Sequence, residues 1–232
     1  MDAPRPPHLS TVPPASGITL HGVLMEIFGL GVLLTGASGV GKSELALELI
    51  SRGQRLIADD APQFQVTADH TLQGACPALL HNFISVRGLG TLNIAALFGA
   101  AAVAQQVTLN LILRLEPLPA EAHPSAAAPT TSNAPRPSEP LLNPVAHPRT
   151  VLGVAVPEYV LAVQPGRPMA LLVECLVRNH LLQLNGYHAA EDFMMRQGQR
   201  ISHAAAPNTE PAPAANLVMP TSTGPARRGD GI

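Results

Sequence analysis

The chain contains a single lysine, Lys42, against 13 arginines. It sits in Gly36-Ala37-Ser38-Gly39-Val40-Gly41-Lys42-Ser43, a complete G-x-x-x-x-G-K-[ST] phosphate-binding loop. Elsewhere positive side-chain charge is carried by planar guanidinium groups. Here a compact ammonium on a flexible stem can reach between two phosphates. Glycines let backbone N–H groups turn inward around phosphate oxygens, and the start of a following helix adds partial positive charge. Ser43 would offer its hydroxyl to Mg2+. Residues 36–43 are therefore expected to bind a nucleoside triphosphate or a related polyphosphate. The competing explanation is a flexible glycine turn between apolar segments.

A second constellation follows. Residues 54–115 hold only three acidic side chains, and two are adjacent, Asp59 and Asp60. They come directly after Leu56-Ile57-Ala58, at the C-terminal end of an expected strand, the edge where open α/β sheets bind ligands. A carboxylate there can hold Mg2+ or accept a proton from an attacking hydroxyl. Neighbouring strand residues face opposite ways, so two aspartates allow both roles. Aspartate is also a favoured turn residue, and the pair alone is compatible with a polar turn. His21 stands fifteen residues before Gly36. A hairpin with its turn at Gly29 would bring it to the end where the phosphate loop starts, to orient a carboxylate or to serve as a structural histidine. Arg87, in Val86-Arg87-Gly88-Leu89-Gly90, would meet a phosphate or a carboxylate, or cover a surface turn. Glu44 reads as a first-turn partner of the helix dipole. The other histidines show no metal-ligand spacing.

These side chains need elements to hold them. Residues 31–35 read as a buried strand entering the loop. Residues 43–52 read as a helix with apolar positions 45, 46, 49 and 50 on one side and Gly53 closing it. Strand, glycine loop and helix is the arrangement the motif requires. The spacing further predicts an extended stretch at 18–28, a strand at 55–58 and a hairpin from 64–66 to 71–73. A short helix follows at 93–98 and a strand at 107–115. Beyond these come one or two strands over 151–163, a helix at 167–185 with Gly186 after it, and an amphipathic helix at 189–201. Residues 1–16, 116–150 and 203–232 hold 19 of the 24 prolines, a composition that cannot build a packed core. One α/β domain over 17–202 is expected, β-rich with C-terminal helices. It carries a proline-rich insertion at about 116–150 and disordered tails at 1–16 and 203–232.

Composition removes several functions. A formal charge of −2, no Trp, two Tyr and five Phe give neither electrostatic attraction to nucleic acid nor a base-stacking surface. Cys76 and Cys175 lie in apolar surroundings and read as core residues of a reducing compartment. No cysteine or histidine spacing suggests structural zinc. The N-terminus lacks the apolar core of a signal peptide. Residues 92–113 are largely apolar, but polar side chains and a change of periodicity midway make a membrane span the weaker reading. A soluble, cytoplasmic protein is expected.

Taken together, these motifs resemble the bacterial HPr kinase/phosphorylase family. The residues that carry the resemblance are the phosphate loop, His21, Leu56-Ile57-Ala58-Asp59-Asp60, Arg87-Gly88-Leu89-Gly90 with Asn93 and Leu97-Phe98-Gly99, and Pro165-Gly166-Arg167, in matching order. It covers about 17–115 and 151–190 and corresponds to the catalytic domain alone. The family resembles phosphoenolpyruvate carboxykinase around a P-loop nucleotide site and commonly forms hexamers. Its members phosphorylate a serine of the phosphocarrier HPr with ATP or pyrophosphate, and reverse the reaction with phosphate. The resemblance implies ATP and Mg2+ as cofactors, HPr as partner, and no nucleic acid or membrane. It implies that Lys42 binds phosphates, Ser43 binds Mg2+, Asp59 with Asp60 supplies the base, His21 tunes that base, and Arg87 is the signature arginine. Four departures stand out. Ser85 replaces a metal-binding glutamate, Gln164 replaces an arginine linked to dephosphorylation, and Ala37 replaces an acidic loop residue. A later catalytic arginine has no counterpart, Arg136 being unassigned. The alternatives are a catalytically weakened nucleotide-binding regulator, and a kinase for another acceptor on the same scaffold.

Overall fold

The computed structural model describes residues 17–117 and 146–205, with side chains to 200. The expected tail at 1–16, Arg136, and the insertion from 118 to 145 lie outside the described residues, as does the expected tail at 203–232 except for 203–205, which are helical. The chain divides into two compact units after His188. The second is represented by one amphipathic helix, α4 (Ala189–Ala205), longer than expected at its C-terminal end and carrying an Asp192–Arg196 pair at 2.8 Å.

In the first unit, β2 (Val23–Ile27) and β3 (Leu30–Gly36) form an antiparallel hairpin, and β4 (Arg55–Ala58) pairs antiparallel with β2. The long strand β9 (Gln106–Pro117) lies parallel to β3. Beyond it come β11 (Val154–Val163), parallel to β9, and β10 (His147–Val151), antiparallel to β11. The C-terminal ends of β3, β4, β9 and β11 therefore share one edge. A second layer, β1 (Ile18–Thr19), β5 (Gln63–Val66) and β6 (Leu72–Ala75), joins the sheet through the start of β9.

Both faces of the central strands are covered. One face packs α1 (Lys42–Ser51) and α3 (Met169–Leu184), burying Met25, Leu34, Leu111 and Leu113 with Leu49 and Val173. The other buries Leu24, Leu33 and Ile112 with Phe64 and Leu72. A sheet buried on both sides reads as a continuous apolar run, which explains much of the apolar stretch at 92–113. That stretch is divided among β8 (Gly90–Asn93), α2 (Ile94–Phe98), a 3-10 turn and β9. Among the described residues no helix is long and apolar enough to cross a membrane.

Several expectations are corrected. Residues 18–28 are not one strand: the chain breaks at 20–22, and Ile18 pairs with Phe64 of β5. Residues 116–117 and 147–150, expected in the pattern-poor insertion, are strand. The β10–β11 turn uses Leu152 at φ 47° and Gly153 at φ 82°, a left-handed pair that a two-residue hairpin demands and leucine rarely supplies. Asn93, expected to open the short helix, caps α2 and accepts the Ala96 N–H. Cys175 is exposed and Cys76 only half-buried, both as free thiols, so neither is the buried core residue expected. Cys175 lies on the outward side of α3, whose buried positions include 170, 173, 174, 177 and 180.

Candidate functional site

At the shared sheet edge the chain leaves β3 at Gly36, rounds the glycine loop and enters α1. Gly41 caps the helix at φ 99°, a left-handed conformation that glycine adopts without strain. Lys42 is buried and its Nζ donates to the carbonyls of Gly36 and Ala37, each at 3.1 Å. Those carbonyls hold the ammonium in the hollow of the loop. Ser43, one residue along, donates its hydroxyl to Asp59 Oδ1 at 3.1 Å.

Asp59 follows β4 directly. The β2–β4 register slips between Leu24↔Ala58 and Met25↔Leu56, leaving Ile57 as an extra residue. Leu56 packs on the helix-covered face, while Ile57 and Ala58 both join the opposite cluster. This bulge resets the strand's alternation. Asp59 is thereby turned toward Ser43 on α1. Its second oxygen accepts the Ser85 N–H at 2.8 Å. Burial holds the Asp59 carboxyl above the ordinary aspartate value. The Ser85 and Ser43 hydrogen bonds and the Lys42 charge pull the other way, and the neighbouring Asp60 adds to the rise.

Asp60 does not continue a strand. It turns outward at φ 70°, and its exposed carboxylate lies 2.8 Å from His21 Nδ1. The histidine expected to tune Asp59 is therefore paired with Asp60. Ser85 lies on β7 (Phe83–Val86), which forms a hairpin with β8, and Arg87 begins the turn between them. Arg87 leans toward the loop, its Nη1 4.0 Å from where a Cβ on Gly39 would stand. Among the described residues its guanidinium has no hydrogen-bond or ion-pair partner.

One cavity of about 720 Å³ gathers these groups: Ser38, Gly39, Gly41, Lys42 and Ser43 from the loop, His21, Asp59, Asp60, Ser85 and Arg87 around it. Glu44 also lines it, on the first turn of α1. Gly36 and Ala37 contribute carbonyls to Lys42, and Val40 packs against the core. Gln164 and Arg167 lie in the turn that follows β11 and do not line the cavity; Arg167 Nη1 donates to the Ala162 carbonyl at 3.3 Å. Leu79, Leu80, Phe83 and Thr91 complete the wall. The sequence did not single them out, because neither apolar residues after Pro77 nor a threonine beside a glycine turn carry a chemical signature.

This geometry defines a mixed α/β domain whose polar cavity is built on a strand, glycine loop and helix unit. The family model for the HPr Serine kinase C-terminal domain matches residues 14–197, and the chain belongs to that family. Proteins named HPr kinase/phosphorylase are 44% identical over 188 residues in Azoarcus sp. (strain BH72) and 43% identical over 182 residues in Nitrosomonas europaea. Those alignments cover 81% and 78% of this chain, and 55% and 52% of the relatives. The chain thus spans about half the length of the curated relatives it matches. The solved structure of the HPr(Ser) kinase/phosphatase from Coxiella burnetii is similar, with a TM-score of 0.62 and 35% identity over 76% of this chain and 98% of that one.

Proposed function

We propose that the chain is an ATP-dependent protein serine kinase acting on HPr. The observation that carries the reading is Asp59: a buried carboxylate of raised pKa, hydrogen-bonded to Ser43 and sharing one cavity with Lys42. A base poised in this way is suited to taking the proton of an attacking hydroxyl. The serine oxygen of HPr bonds to the γ-phosphorus of ATP, the bond from that phosphorus to the bridging oxygen breaks, and ADP leaves. Asp59 takes the serine proton. Lys42 leaves the Gly36 and Ala37 carbonyls to neutralise charge on the phosphates. Arg87, unpartnered among the described residues, is placed to meet the transferred group.

The donor set fits Mg2+. Ser43 Oγ and Asp59 Oδ1 are hard oxygen donors 3.1 Å apart. Among the described residues no cluster of three or more His, Cys, Asp or Glu side chains could enclose a metal. One or two protein oxygens, with phosphates and water completing the shell, is the usual Mg2+ arrangement at phosphoryl-transfer sites. When bound, Mg2+ would offset the charge developing on the β- and γ-phosphates. His21 and Asp60 would bear on the reverse reaction, in which phosphate attacks phosphoserine and releases pyrophosphate. Asp59 then returns the proton to the serine oxygen.

The placement of Ser85 favours a second reading. A neutral side chain stands in the cavity beside Asp59 where the family carries a glutamate, which suits a nucleotide-binding regulator with weak transfer. Incubation with labelled ATP, Mg2+ and HPr separates the two. Label on an HPr serine, falling about 100-fold or more in Lys42→Ala and Asp59→Ala, supports the kinase. Nucleotide binding that depends on Lys42, without transfer, would sink it.

A further inference from the structure

Three elements deliver the site. β3 runs into the glycine loop, α1 leaves it with Lys42 and Ser43, and β4 ends just before Asp59. Their opposite ends also meet. Phe28 lies in the turn before β3, Arg52 caps the end of α1, and Gln54 comes directly before β4. One carboxylate, Glu174 of α3, gathers them. Its Oε2 accepts from Nε and Nη2 of Arg52 at 3.0 and 2.6 Å, and its Oε1 accepts from Gln54 Nε2 at 3.2 Å. Gln54 Oε1 in turn accepts the Phe28 N–H at 3.1 Å. Arg178, a turn further along α3, stands 4.2 Å over the Phe28 ring. Glu174 and Gln54 are both buried. Hydrogen bonding to Arg52 holds the Glu174 carboxyl below the ordinary glutamate value, against the effect of burial.

We propose that Glu174 is a positioning residue for phosphoryl transfer: by fixing β3, α1 and β4 at one end it sets the spacing of Lys42, Ser43 and Asp59 at the other. The proposal rests on the kinase reading above. α1 has ten residues and is about 15 Å long, so Glu174 touches no reacting group. It acts through direction. Apolar contacts between α1 and the sheet have none. Hydrogen bonds do, and a satisfied buried polar network holds a single arrangement. Stability alone does not account for the charge, since an apolar side chain of similar volume serves a buried position as well. The ends at the cavity need such control. Ser43 Oγ and Asp59 Oδ1 stand 3.1 Å apart on different elements, and a displacement of about 1 Å in a reacting geometry costs about 100-fold in rate.

The test uses the full chain. Three quantities are measured: kcat for label transfer to HPr, the dissociation constant of Mn2+ in the presence of ADP by electron paramagnetic resonance, and the affinity for metal-free ADP by titration calorimetry. Glu174→Gln should lower kcat about tenfold or more and weaken Mn2+ by a similar factor. Metal-free ADP depends on the loop alone, so its affinity should stay within about twofold. Gln54→Ala keeps the ion pair and should move kcat and Mn2+ in the same direction; it carries the test if Glu174→Gln does not fold. Val177→Ala, on the same buried face of α3, loosens the helix without touching the network. It should lower the melting temperature yet leave kcat and Mn2+ affinity near wild type. Unchanged kcat and Mn2+ affinity in Glu174→Gln and Gln54→Ala overturn the proposal and leave the kinase standing. Equal losses in Val177→Ala overturn it too, since any loosening of α3 would then suffice. A wild-type chain that binds Mn2+ and ADP but does not phosphorylate HPr removes the kinase reading, and the role in phosphoryl transfer with it.

Discussion

Desolvation at the cavity floor raises Asp59 because two hydrogen bonds and a nearby ammonium do not replace the water that burial removes. The consequence for stability has a definite sign. A carboxyl raised on folding contributes stability fully below its unfolded value, near 3.8, and loses it as pH rises through the folded value. Ionised Asp59 therefore opposes folding near neutrality, the usual cost of a functional carboxylate. Asp59→Asn removes that ionisation. Its melting temperature should gain on the wild type as pH is raised from about 3.5 to about 7.5. A gap that stays flat would mean that the hydrogen bonds just offset burial, and one that narrows would mean that they outweigh it. At this scale the sequence was most readable where chemistry restricts the residue type: the loop lysine, the loop serine and the aspartate that ends an apolar strand. The partner of His21 was not readable. It depends on Asp60 adopting a left-handed backbone, which one sequence does not reveal.

Two bulges set the phase of the elements around the site. Ile57 turns Asp59 toward α1. In β9 the extra residue is Asn110, between Gly31↔Leu109 and Val32↔Leu111. Its Oδ1 accepts the Gly31 N–H at 3.0 Å, and Leu109 and Leu111 consequently point to opposite faces. Gly31 is required there, since a Cβ would lie 2.1 Å from the Thr108 carbonyl oxygen. Asn110→Ala strands the Gly31 amide at the join of β3 and β9 and should cost about 1–3 kcal/mol in urea unfolding. An unchanged midpoint would show that the bulge is set by the backbone alone. The sequence located these strands from their apolar runs, yet periodicity carried no mark of either bulge, because Ile57 and Asn110 fit a regular strand equally well. It also passed over β10, where Pro148 faces Pro157, a pairing tolerated on an edge strand. The β7–β8 hairpin was seen only as a glycine turn, since its flanking strands are four residues each.

For the molecule as a whole, the sheet buried on both sides explains how so short a polar loop is held rigidly. The loop hangs between Leu34 and Leu45, both buried, and the far end of α1 is tied to α3 by Arg52, whose Nε and Nη2 reach Glu174 Oε2 at 3.0 and 2.6 Å. The one lysine of the chain lies inside this clamp, and that has a practical consequence. A lysine-specific endoprotease has a single possible cut, after Lys42, giving fragments 1–42 and 43–232. Because Lys42 is buried and begins a helix, cleavage requires the loop to open. The digestion rate of the intact chain is thus a direct count of how often the phosphate site comes apart. ATP at about 100 times its dissociation constant should slow that cut about a hundredfold, while trypsin at the exposed arginines would register far less. A nucleotide that left the rate unchanged would not be bound at this loop. The residue most committed to chemistry is at once the only place where this protein can be opened by such a protease, and occupancy of the site closes it.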